Sequence, residues 1–164
     1  MGVVMLMSRA ADVSLDTTDW KILRAIQEHP SLAIVGIAEK VGLSEAPCWR
    51  RLKRMESDGV LRRQLFVLNQ NAVGLNINVF AHVRLRQHDE LTLESLERAA
   101  RDQCEIIECF SMTGGSDYLL RVVVGSVEDY ERFLKKVLLH LPGVAAVNSS
   151  IALKTVKMTM NLPI

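Results

Sequence analysis

Ile37-Ala38-Glu39-Lys40-Val41-Gly42-Leu43-Ser44-Glu45-Ala46-Pro47-Cys48-Trp49-Arg50-Arg51-Leu52-Lys53-Arg54-Met55 is the stretch whose pattern decides the N-terminal fold. Ile34, Ile37, Ala38 and Val41 lie on one face of a short helix, and Gly42 ends it because glycine tolerates the left-handed backbone of a tight turn. Ser44 then suits an N-cap, and Pro47 falls in the first turn, where its missing N–H is harmless. Cys48, Leu52 and Met55 recur at i, i+4 and i+7, which turns them toward a core.

Upstream, Asp16 or Thr17 caps a helix running to about Glu28, with Trp20, Leu23, Ile26 and a fourth candidate, Ile22, at helical spacing and Pro30 blocking its continuation. Downstream, Gly59 stops the third helix, and Val60-Leu61-Arg62-Arg63-Gln64-Leu65-Phe66-Val67-Leu68 reads as a short hairpin. Three helices and a hairpin make a winged helix-turn-helix over residues 15–68, preceded by an N-terminal arm, residues 1–14. Polar, aperiodic Asn69–Gly74 marks a linker at 69–75.

Residues 76–164 change character. Ile77, Val79, Ala81, Val83 and Leu85 alternate with Asn78, Phe80, His82 and Arg84, the period of a half-buried strand. Leu93, Leu96 and Ala100 line a helix. Ile106–Met112 and Tyr118–Val124 are strands divided by Thr113-Gly114-Gly115-Ser116-Asp117. Ser126 starts a helix whose apolar stripe reaches Leu141, and a last strand is expected from about Val144 to Met160. The order βαββαβ gives a ferredoxin-like sandwich, so the chain as a whole is α+β. The sheet face away from the helices needs a cover, and a second copy is the simplest one, which implies a homodimer.

The net charge of +1 conceals a local concentration: residues 44–63 hold Arg50, Arg51, Lys53, Arg54, Arg62 and Arg63 against Glu45, Glu56 and Asp58. With Cys48, Leu52 and Met55 inward, Glu45, Ala46, Trp49, Arg50 and Lys53 face outward, and Arg51 and Arg54 lie at the margins. That face suits the major groove of double-stranded DNA. Arginine and lysine donate to guanine edges or phosphate, and Ser44 and the helix-start N–H groups suit phosphate. Arg62 and Arg63 stand near the wing. A basic run alone is usually a solvated helix face; its place after a short helix and a turn favours DNA contact, although Arg51 equally suits an intradomain ion pair.

The chain lacks a nucleophile–base pair, a metal set and a phosphate loop, so no enzyme, cofactor or metal site is expected; His29, His82, His88 and His140 are scattered. Cys48, Cys104 and Cys109 form no Cys-x-x-Cys pair and fit reduced thiols. The apolar run at residues 1–7 is too short for a signal peptide or membrane span, which points to the cytoplasm.

Four stretches together resemble the Lrp/AsnC family of bacterial and archaeal transcriptional regulators: Leu15–Leu23, Ile37–Ser44, Arg51–Val60 and Gly114–Tyr118. The resemblance spans nearly all of residues 15–164 and implies sequence-specific regulation of transcription. It also implies an amino-acid effector held between subunits near the turn that contains Gly114 and Asp117. The chemistry is sensible on its own terms. Asp117 could meet an ammonium, the Gly114 and Gly115 N–H groups a carboxylate, and Thr113 and Ser116 could add hydroxyls. Ser149 and Ser150 are further candidates from a facing subunit. Gly and Asp are also favoured in hairpin turns for backbone reasons alone.

Overall fold

The computed structural model describes residues 13–62 and 66–164. It contains two compact units. One comprises the described residues up to Phe66 together with Thr159–Ile164, and the other is Val67–Met158.

The N-terminal unit is built on α1 (Thr17–Glu28), α2 (Ile34–Val41) and α3 (Glu45–Ser57). Asp16 caps α1 reciprocally: its carboxylate accepts from the Asp19 N–H at 2.8 Å, and the Asp19 carboxylate accepts from the Asp16 N–H at 3.0 Å. Gly42 takes φ 73°, and the Leu43 N–H donates to the Ala38 oxygen at 2.9 Å, so α2 turns directly into α3. Ile22, Leu23, Ala25, Ile37, Ala38, Cys48 and Met55 form the core, with Ile26, Ile34 and Leu52 packed against it.

Two expectations for this unit are corrected. Trp20 is 37% exposed, and the fully buried residue on that side of α1 is Asp19. The inward arc runs through residues 19, 22, 23 and 26, and Trp20 lies about 100° round the helix from Asp19. The hairpin over Val60–Leu68 falls partly on residues 63–65, outside those described, and neither Val60–Arg62 nor Phe66–Leu68 is in a strand. The N-terminal arm likewise lies outside the described residues up to residue 12.

The second unit runs β1 (Ile77–Leu85), α4 (Glu90–Arg101), β2 (Ile106–Ser111), β3 (Tyr118–Val124), α5 (Val127–Lys136) and β4 (Val144–Ile151). The strands form one antiparallel sheet in the order β2-β3-β1-β4. Val79, Ala81, Val83, Leu120 and Val122 share a core with Leu96 of α4 and with Tyr130 and Phe133 of α5, so both helices cover one face. Alternation sends Phe80, His82 and Arg84 of β1 to the other face.

Here the sequence reading is corrected at two ends. α5 stops at Lys136 and a 3-10 turn, Leu138–His140, follows. The tighter turn brings Leu138 and Leu141, three residues apart, into the core together. β4 ends at Ile151, not near Met160. The Ala152 N–H still donates to the Asn78 oxygen, but β1 begins at Ile77 and offers nothing to pair beyond it.

The last residues pack with the N-terminal unit. Gln27 donates to the Leu162 oxygen at 3.2 Å and accepts from the Leu162 N–H at 2.6 Å, and the Asn161 amide donates to the Gln27 backbone oxygen. No helix among the described residues is long and apolar enough to cross a membrane.

Candidate nucleic-acid interface and effector cleft

α3 presents the DNA candidates unequally. Cys48 and Met55 are completely buried, which fixes the rotation of the helix and leaves Ser44, Glu45, Ala46, Trp49, Arg50 and Lys53 exposed. Ser44 occupies the N-cap position with extended backbone, yet its hydroxyl makes no capping bond. It and the first N–H groups of α3 therefore remain available to an anion. Arg50 forms no ion pair among the described residues. Lys53 donates to Glu56 at 2.7 Å, an exposed i,i+3 pair of a kind worth about 0–1 kcal/mol and easily exchanged for a phosphate. Arg62 is exposed after the end of α3, and Arg63 lies outside the described residues.

Arg51 and Arg54 are engaged elsewhere. The Arg51 Nη1 donates to Asp16 at 2.6 Å and to Asp19 at 2.8 Å, and the Arg54 Nη2 donates to the other Asp19 oxygen. Burial would raise the Asp19 pKa, but the Asp16 N–H and the two guanidinium groups outweigh it and hold the carboxyl below its ordinary range. Of the two readings open for Arg51, the structure takes the intradomain ion pair, and Arg54 shares it. Apolar periodicity could not find Asp19. The usable signal was charge spacing: acids at residues 16 and 19 and arginines at 51 and 54, each pair one helical turn apart.

All three cysteines are free, Cys48 in the core and Cys104 and Cys109 exposed, and burial raises the thiol pKa of Cys48 and of Cys109.

The turn between β2 and β3 forms the second candidate site. Gly114 adopts φ 107°, a conformation open to glycine, and the Met112 N–H donates to the Asp117 oxygen at 2.9 Å. Thr113, Gly115 and Ser116 line a cleft of about 630 Å³ with His82, Arg84 and Asn148. The Arg84 Nε donates to the Gly115 oxygen at 2.7 Å, and His82 Nδ1 lies 3.3 Å from the Ser116 hydroxyl.

Two effector candidates, Asp117 and Ser149, stand differently from expectation. Asp117 is occupied within its own unit: one oxygen accepts from the Leu85 N–H at 2.7 Å, and the other meets His88 Nε2 at 2.9 Å. These bonds, the Leu85 N–H first, hold its carboxyl below the usual range. Ser149 pairs with Ala81 on the helix-covered face, and its hydroxyl meets that of Tyr130, so strand alternation removes it from the cleft. Ser150 pairs with Phe80 on the open face, beside the cleft but not lining it. Arg84, His82 and Asn148 were not foreseen as lining residues. Their signal was the outward half of the β1 and β4 alternation.

Comparison with known proteins accounts for both units. The description "Winged helix-turn-helix DNA-binding" matches residues 15–62, and "Lrp/AsnC ligand binding domain" matches residues 78–162. The chain is 33% identical over 150 residues to the DNA-binding transcriptional activator DecR of Escherichia coli, covering 92% of this chain and 99% of that protein. It is 36% identical over 150 residues to the Bkd operon transcriptional regulator of Pseudomonas aeruginosa, covering 92% and 98%. Among solved structures, a Neisseria meningitidis transcriptional regulator in complex with L-methionine superposes with a TM-score of 0.86 at 36% identity, covering 92% of this chain and 97% of that one. The chain belongs to the Lrp/AsnC family of DNA-binding transcriptional regulators.

Proposed function

We propose that the regulator reads DNA with the N-terminal half of α3 and responds to an amino acid bound in the cleft beside the β2–β3 turn. The observation that carries the first half is the rotation of α3: burial of Cys48 and Met55 leaves Trp49, Arg50 and Lys53 outward, ahead of an exposed Arg62. Arg50 and Lys53 suit base edges and phosphates. Trp49, 47% exposed, suits a thymine methyl or a sugar.

The cleft supports the second half. The Arg84 side chain spends Nε on Gly115 and makes no other hydrogen bond among the described residues, so its remaining donors suit a carboxylate. Thr113, Ser116 and Asn148 supply further polar groups. The L-methionine carried by the Neisseria relative supports an amino acid as the ligand class.

A second copy of the chain completes the assembly by covering the open sheet face. Phe80 and Phe110 are exposed there at 36% and 51%. Apolar side chains of this size favour burial against a partner. The dimer would place two copies of α3 on half-sites about one helical turn apart, ~34–36 Å, and further association would extend it to tetramers or octamers.

A thermal-shift screen of the common amino acids on the full chain tests the effector site. The effector should stabilise the protein by about 2.7 kcal/mol at a hundredfold excess over its Kd, and Arg84→Ala should abolish that response. An equal response from Arg84→Ala would remove the cleft from the proposal. Light scattering should find at least a dimer, and a monomer at micromolar concentration would remove the sheet-to-sheet assembly.

A further inference from the structure

We propose that Asp19 is a specificity-determining positioning residue, which withholds Arg51 and Arg54 from DNA so that α3 offers Arg50 and Lys53 alone. The inference rests on the reading of α3 as the DNA-contacting helix and concerns how its charge is divided.

The stretch Arg50-Arg51-Leu52-Lys53-Arg54 carries four cations, enough for strong binding to any duplex through phosphate contacts and counterion release. Affinity of that kind carries no sequence information. The structure splits the four into two pairs. Arg51 and Arg54, one turn apart, converge on the two oxygens of one completely buried carboxylate, and Arg51 also takes Asp16. Asp19 also accepts from the Asp16 N–H, so both of its oxygens are engaged. A DNA phosphate could draw either arginine away from Asp19 only by leaving a buried carboxylate short of a partner, a far costlier exchange than breaking an exposed pair, so the reach of both guanidinium groups is set by their anchor on α1. The Lys53–Glu56 pair is exposed and can open.

The same geometry has a mechanical side. Two guanidinium groups held at one point of α1 add to the burial of Cys48 and Met55 in fixing the rotation of α3 about its axis. Asp19 thus performs two tasks through Arg51 and Arg54: it helps set which face of α3 looks outward, and it lowers the sequence-independent share of the binding energy.

The experiment measures how the affinity of the full chain depends on salt, on random duplex and on a duplex enriched from a randomised pool, for wild type, Arg51→Gln, Arg54→Gln, Arg62→Gln and Asp19→Asn. Each lost phosphate contact lowers the slope of log K against log salt by ~0.9. Arg62→Gln should show that loss. Arg51→Gln and Arg54→Gln should leave the slope unchanged, and each keeps Asp19 paired with the remaining arginine. Asp19→Asn should steepen the slope on random duplex by up to ~1.8 as both arginines are released, and should narrow the ratio of enriched to random affinity. A merely structural role for Asp19 would not steepen that slope.

A loss of ~0.9 from Arg51→Gln or Arg54→Gln would overturn the proposal. So would a folded Asp19→Asn protein with the wild-type slope. If Asp19→Asn fails to fold, the two glutamine variants decide. If Arg62→Gln and a parallel Lys53→Gln also leave binding untouched, the reading of α3 itself has failed, and this inference with it.

Discussion

Replacing Asp117 by alanine should destabilise the second unit before any effector is considered. Its carboxylate is the acceptor for the Leu85 N–H at 2.7 Å, and Leu85 is only 7% exposed, so truncation leaves a buried donor unpaired. An orphaned buried group costs about 1–3 kcal/mol, and the exposed His88 contact adds at most about 1 kcal/mol. For a unit the size of Val67–Met158, each kcal/mol moves Tm by roughly 4–8 °C, so a fall of roughly 4–32 °C is expected. Asp117→Asn keeps one carbonyl oxygen for the Leu85 N–H and should lose less. The chain suits the assay: both tryptophans, Trp20 and Trp49, lie in the N-terminal unit, and both tyrosines, Tyr118 and Tyr130, lie in the second. Tryptophan fluorescence should keep its wild-type response while the circular dichroism of the sheet melts early. An alanine variant as stable as wild type would refute the structural role given to Asp117.

Asp19 has a lowered pKa in the folded state, so its stabilising contribution is present above the ordinary carboxylate value near 3.9 and is lost as pH falls through the lowered folded value. Acid titrations should therefore show a flatter loss of the tryptophan-reported transition below about pH 4 in Asp19→Asn. The Tyr118 pKa is pushed up to about 12, first by burial and then by the Glu97 carboxylate that accepts its hydroxyl. Its contribution is complete below pH 10 and should fade as the pH rises from 10 toward 12; Tyr118→Phe should remove that dependence, and an unchanged alkaline limb would contradict it. Gln27→Ala should free the Asn161–Leu162 segment and speed tryptic cleavage after Lys157, read by mass spectrometry, whereas cleavage at the wild-type rate would show that the Gln27 bonds do not hold the tail.

Sequence patterns carried most of the fold because local chemistry and global packing agree. Asp16, Gly42, Gly59 and Ser126 all stand at the helix ends where their capping chemistry places them, and β3 is found at Tyr118–Val124 as its apolar run indicated. The misreadings have a common physical origin in partners that periodicity does not encode. Alternation of Val156, Met158 and Met160 continues the strand pattern, but β1 has no more backbone to pair with it. Asp19 occupies a core position because two arginines more than thirty residues away compensate its charge. Asp117 was legible as a residue of the turn, whereas its bond to the Leu85 N–H depends on the end of β1 lying beside that turn.

The most direct test of DNA reading by α3 is enrichment of bound duplexes from a randomised pool by the full chain, followed by the affinities of wild type and Arg50→Ala for the enriched site and its single-base variants. A symmetric motif with half-sites about one helical turn apart is expected, and Arg50→Ala should lose ~1–3 kcal/mol of preference at one position in each half-site. Equal losses by Arg50→Ala on every sequence, or a preference left intact, would contradict base reading by this helix.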